Sequence, residues 1–268
     1  MLKTFRKNRT AASGLVATSL VVTSLTAVTG STVAAERNAM PSHQCTVNGV
    51  SAPPGDTVRG TARNDTIECE NDISNVTVWG AGGNDNIRVK GLIIDSQVLG
   101  GDGRDTIQTS HLLPRNGSAT VRGNAGDDTL IVATVRGTSD QGAAVYGDMG
   151  DDRITVGSVH GAPGEHERGG GQVFGNDGYD RITSGTVDFG GRVVGGSEDD
   201  LIEAKAVGPE AGGTIQGGPG EDIVRGTGNT VLSAGPGWGV VDGGLGTDDC
   251  KAAHAAPERA RSTIANCP

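Results

Sequence analysis

One eight-residue unit, opening on glycine and carrying aspartate at its sixth position, recurs nine times and constrains this chain more than any other feature. The copies read GTARNDTI from Gly60, GAGGNDNI from Gly80, GGDGRDTI from Gly100, GNAGDDTL from Gly123 and GDMGDDRI from Gly147. They continue as GNDGYDRI from Gly175, GGSEDDLI from Gly195, GGPGEDIV from Gly217 and GGLGTDDC from Gly243. The sixth residue is always aspartate: Asp65, Asp85, Asp105, Asp128, Asp152, Asp180, Asp200, Asp222 and Asp248. The fourth is glycine except at Arg63 and Glu198, and the eighth is aliphatic except at Cys250. Two residues ahead of each unit stands Val or Ile, from Val58 to Val241.

The constants have a physical reading. A β-branched residue before a turn and an aliphatic one after it are strand residues facing one core. Glycine supplies positive φ without steric cost, and Asn124, Asp148 and Asn176 at the second position are the side chains that tolerate it best. A lone strand–turn–strand corner cannot bury its apolar face, but stacked corners share a narrow core. That explains how a chain with 46 glycines and 3% aromatics folds at all. A strand of about five residues spans roughly 17 Å, so two strands and two turns use about the spacing observed between copies. The fold expected is all-β: a right-handed parallel β-roll or β-helix solenoid of about nine rungs, its glycine-rich turns stacked on one edge. The stretches SHLLPRNGSA, RGTSDQGA and VHGAPGEHERGGG read as loops of unequal length at the opposite end.

The first 35 residues read as a secretory signal. Lys3, Arg6, Lys7 and Arg9 precede a mostly apolar run from Leu15 to Val28, and small residues around Val33, Ala34 and Ala35 offer a cleavage site. Residues 36–57 then form an N-terminal cap, 58–250 the solenoid and 251–268 a C-terminal cap. No other stretch is apolar enough to span a bilayer stably. The net charge of −10 becomes more acidic once those four cations are removed, which excludes nucleic acid or anionic lipid as a partner for a basic face and suits a collector of cations. An extracellular chain makes disulfides of its four cysteines, which allow three pairings. Cys45 with Cys69 and Cys250 with Cys267 would staple both ends of the solenoid, where edges need closing. A zinc site is the alternative, against which stands the lack of any closely spaced cysteine pair.

The units resemble the RTX, or hemolysin-type, calcium-binding repeat, GGxGxDxU with U aliphatic. GGDGRDTIQ, GGPGEDIVR and GGLGTDDCK match it nearly position for position. The resemblance implies a parallel β-roll with calcium between neighbouring turns, held by aspartate carboxylates and backbone carbonyls, and so makes the nine aspartates metal ligands. This chain departs from it in carrying one unit per rung rather than tandem nine-residue repeats, in its N-terminal signal, and in Arg63 and Glu198. Electrostatics points the same way: aspartates stacked about 5 Å apart repel by roughly 3 kcal/mol at an effective dielectric near 20. Ca²⁺ takes several oxygen ligands in flexible geometry, and further acids at the fifth position (Asp127, Asp151, Asp199, Glu221) add charge nearby. The competing reading is that each aspartate caps its turn through hydrogen bonds to backbone.

No catalytic constellation emerges. GxSxG and HExxH are absent, and His160, Glu165, His166 and Glu167 read as a solvated loop rather than a transition-metal site. Between the inward Val and the turn glycine stand Trp79, Leu99, Arg122, Tyr146, Phe174 and Val194. Alternation points these outward as a ladder able to hold cell-wall glycan or a surface protein. The expectation is a secreted, extracellular calcium-binding protein, structural or adhesive. The alternative is a polysaccharide-active enzyme, a lyase, epimerase or hydrolase, on a parallel β-helix.

Overall fold

A computed structural model of the chain describes residues 43–138, 142–161, 170–235, 238–255 and 262–267. The expected signal segment and Glu165, His166 and Glu167 lie outside these residues. No helix occurs among the described residues; the chain is a parallel β-solenoid built from two sheets.

Each glycine unit is a corner between the sheets. The strand before it belongs to a ten-stranded sheet that runs from Thr57–Arg59 through Gln97–Asp102 and Gln172–Asp177 to Thr263–Ala265. The strand after it belongs to a fourteen-stranded sheet that includes Thr66–Cys69, Thr129–Arg136, Leu201–Val207 and Asp249–His254. Nine successive corners bound eight full coils, and neighbouring coils pair in parallel. Among the described residues the antiparallel strand pairs involve the N-terminal cap, whose strand Cys45–Val47 pairs with Val50–Ser51 and with Thr66–Cys69 of the first coil.

Register aligns the apolar positions into columns. Val58, Val78, Val98, Val121 and Val145 stack in one sheet. In the other, Ile67, Ile87, Ile107, Leu130, Ile154, Ile182 and Ile202 stack opposite. All are within 1% of full burial, so each contributes about 1.5–3 kcal/mol of hydrophobic stabilisation. A third column, Ile93, Leu112, Val135, Val159 and Val187, closes the far end.

That third column corrects part of the loop reading. SHLLPRNGSA was expected to be loop throughout, yet Thr106–Leu112 remains strand through Ser110, His111 and Leu112. Leu112 is fully buried between Ile93 and Val135, and its burial carries the strand two residues past the hydrophilic signal. The cysteines pair locally: Cys45 with Cys69 at the first coil and Cys250 with Cys267 at the last.

Candidate functional site

The glycine turns divide their conformational work by position. Left-handed backbone falls at the second residue, as at Ala81, Gly101, Asn124, Asp148 and Asn176, and at the fourth, as at Gly103, Gly126 and Glu198. The first glycine is not left-handed, so its recurrence has another cause. A Cβ built on Gly80, Gly123 or Gly147 would collide with Oδ2 of the aspartate five residues on and with the carbonyl of the first glycine of the next coil. The same two groups crowd every first glycine from Gly60 to Gly217. Glycine and aspartate thus recur together because the carboxylate occupies the space of the missing side chain.

All nine aspartates face inward and are at most 3% exposed. They form one continuous ladder. The backbone N–H of each aspartate donates to Oδ1 of the aspartate in the next coil, from Asp65 to Asp85 (2.7 Å) and through Asp105 to Asp128 (2.6 Å) as far as Asp222 to Asp248 (3.0 Å). From the second turn on, the capping that the competing reading placed within each turn is therefore made between turns. A second ladder runs outside in the opposite direction: the N–H of Asn84 donates to Asn64, that of Asp151 to Asp127 and that of Glu221 to Asp199. Three acids of the fifth position, Asp127, Asp151 and Asp199, are spent there as caps on the exposed side, while Glu221 enters through its N–H. Together the ladders satisfy corner N–H groups where regular strand pairing is interrupted.

Oδ1 is thus accounted for, and Oδ2 is not. In the eight turns from Asp85 to Asp248, Oδ2 is buried and has no hydrogen-bond partner. Burial raises Asp105 and Asp222 to about 6, Asp152 and Asp180 to about 7, and Asp128 and Asp200 to about 8. Burial likewise raises Asp85. Neighbouring carboxylates add to the rise and the N–H bond at Oδ1 opposes it.

Asp65 is the exception. Its Oδ1 accepts from Asn48 Nδ2 (2.5 Å), and its Oδ2 accepts from both the N–H (2.5 Å) and the hydroxyl (2.9 Å) of Thr61. Burial pushes it up, but these bonds and the charge of Arg63 outweigh burial and hold it below its usual value. Asn48 and Thr61 were missed in the sequence. The departure of the first turn at Arg63 was their one signal.

The ladder's donor set suits a hard cation. Its unpartnered atoms are carboxylate oxygens, a donor type calcium prefers, and Oδ2 and a glycine carbonyl crowd the same point at each step. No three His, Cys, Asp or Glu side chains among the described residues form a metal-holding group, so two consecutive carboxylates and glycine carbonyls would have to share an ion.

The outward row expected from alternation is present in register. Trp79 lies beside Leu99, Leu99 beside Arg122, Arg122 beside Tyr146, and Tyr146 beside Phe174. His160 is held below its usual value by burial and by Arg136. No family model, no curated protein and no solved structure matches the chain.

Proposed function

We propose that the protein is a secreted calcium-binding repeat protein of the RTX type with a structural or adhesive role, its calcium held along the inner aspartate ladder. One observation carries this: eight consecutive turns each bury a carboxylate oxygen with no partner. A buried carboxylate is stable only if a proton or a cation joins it. Asp85, Asp105, Asp128, Asp152, Asp180, Asp200, Asp222 and Asp248 would hold the ions with glycine carbonyls. Asp65 is the least available, because both of its oxygens already accept hydrogen bonds. Calcium supplies the positive charge and the wide oxygen coordination. The chain's part is to align the oxygens, exclude water and couple their order to folding. The two disulfides support an oxidising, extracellular setting.

No observation favours the polysaccharide-active alternative. Of the buried carboxylates outside the ladder, Glu203 is paired with Arg181 (2.7 Å) and Arg225 (3.1 Å). Asp188 accepts backbone N–H groups of Phe189, Glu210 and Ala211.

The test is calorimetric titration of the chelator-treated chain with calcium at pH 7.5, followed by circular-dichroism melting. Binding heat and a higher melting temperature are expected. No heat and an unchanged melt would leave protons as the occupants of the ladder and reject calcium.

A further inference from the structure

The outward row of the ten-stranded sheet is a stack of flat groups with one plate missing. Arg59 lays its guanidinium carbon 4.3 Å from the centroid of Trp79. Two coils further on, Arg122 stands 3.8 Å over Tyr146, whose ring stacks on Phe174 at 5.3 Å and 8°. Between these two halves the register places Leu99, a short aliphatic side chain. Trp79 and Arg122 are two coil steps apart, about 9.5 Å. A ring seated over Leu99 would therefore lie about 4.8 Å from each wall. An open depression of about 590 Å³ lies there, with Trp79, Leu99 and Arg122 in its lining and Asp102 and Asn124 among its polar groups.

We propose that this slot binds one ring of a neutral glycan, with a pyranose face against the indole of Trp79 and its hydroxyls reaching Asp102 and Asn124. The chemistry selects that class. A pyranose presents C–H groups on its faces, which suit an aromatic wall, and hydroxyls around its rim, which suit a carboxylate and an amide. Arg122 is not free to attract an acidic sugar, because Asp148 neutralises it at 2.7 Å. The net charge of −10 repels anionic glycans. The inference gives the adhesive reading a partner and rests on that part of it. It does not depend on the aspartate ladder holding calcium.

The chain has two tryptophans, so in a Trp238→Phe background Trp79 is the reporter. Its fluorescence is followed during titration of the full chain with cellohexaose, maltohexaose and chitohexaose, and with an oligogalacturonate as the acidic arm. Each titration is run with calcium and with chelator, on protein whose circular dichroism shows it folded. The expected result is a saturable change with at least one neutral oligosaccharide and none with the acidic one. Leu99→Phe, which supplies the missing plate, should weaken binding by about tenfold or more while the melt is kept; Trp79→Leu, with binding read by calorimetry, should do the same by removing a wall. No response to any neutral sugar, stronger binding of the acidic one, or undiminished binding by Leu99→Phe would each overturn the proposal. Sugar binding without calcium heat would sink the calcium reading alone, and calcium heat without sugar binding would sink the slot alone.

Discussion

The first glycine turn and the turns at the middle of the solenoid carry the same aspartate in opposite situations. Asp65 and Asp152 are equally closed to solvent, 3% and 2% exposed. Asp65 receives hydrogen bonds at both oxygens, and its carboxyl is held below the usual range. Asp152 receives one, at Oδ1 from the N–H of Asp128, and burial raises it to about 7. Two things differ: burial weighs far less on Asp65, in the first coil, than on Asp152 with coils on both sides, and Oδ2 of Asp65 receives donors that Oδ2 of Asp152 lacks. Thr61 supplies those donors, and the turn backbone places it. Thr61 and Arg63 lie outside the left-handed region that the second and fourth residues of later turns adopt, and there the N–H of Thr61 reaches the carboxylate. In the middle turns Oδ2 is left to a proton or a cation.

The largest way to break this arrangement is steric. Gly147→Ala would drive a methyl into both Oδ2 of Asp152 and the carbonyl of Gly175, and neither has room to retreat between stacked coils. A loss of roughly 3 kcal/mol is expected, seen as a lower melting temperature. At Gly60 the carboxylate stands further off, 2.8 Å from the built Cβ, though the carbonyl of Gly80 is close, so a smaller loss is expected there. Equal losses would show that the carboxylate plays no part in the crowding.

Acidity tests the ladder next. Six middle aspartates are raised to between about 6 and about 8, above the unfolded value near 3.9. Their contribution to stability is whole below pH ~4 and is lost as pH rises through the folded values. In chelator, the melting temperature should therefore fall by several degrees between pH 5 and pH 8, at about 2–4 °C per kcal/mol for a chain of this size. Asp65 has the opposite sign: its contribution is present above its unfolded value and is lost as pH falls through its depressed folded value, below this window. A flat or rising melt from pH 5 to pH 8 would contradict the raised ladder.

The same contrast predicts opposite signs for one substitution. Asp152→Asn keeps an acceptor for the N–H of Asp128 and replaces the unpartnered Oδ2 with an N–H₂ aimed at the glycine carbonyl. Without calcium at pH 8 it should raise stability by about 1 kcal/mol, and it should weaken calcium uptake. Asp65→Asn must turn its amide nitrogen either toward Thr61 or toward Asn48, each already a donor, and should lower stability by about 1–2 kcal/mol. Denaturant titrations of both variants in chelator check the signs.

Much of this was legible in the chain. The two-residue offset of Val58 to Val241 from the turns, and the aliphatic eighth position, placed the core because alternation fixes which side chains face in. The alignment of nine aspartates followed from their fixed place in each unit. What each oxygen does was not legible, because Oδ1 is satisfied by an aspartate 20 to 28 residues away rather than by its own turn. The role of the first glycine was hidden for the same reason, since positive φ is the usual cause of a recurrent glycine and here the cause is a carboxylate in its side-chain space. The far loops were misjudged at Leu112, where a column of buried residues from other coils outweighed a hydrophilic local sequence.

The smallest test concerns the fourth position of the turn, where Glu198 replaces glycine. Glu198 takes φ of 70°, in the region that costs a side-chain-bearing residue about 1 kcal/mol, and so keeps the backbone of the other middle turns. Arg63, the other replacement, avoids that region, and its turn is the one in which Oδ2 of the aspartate is satisfied. Glu198 gains one compensation, since its carboxylate accepts the N–H of Gly178 at 3.0 Å, an exposed bond. Glu198→Gly should relieve the backbone and lose that weak bond, for a net gain of about 0.5 kcal/mol. Arg63→Gly should gain nothing from strain relief, because no left-handed strain exists there, and its lost charge should let Asp65 rise. If both variants gain stability equally in denaturant titrations, the first turn is not a separate conformation, and the contrast between the end and the middle of the ladder fails with it.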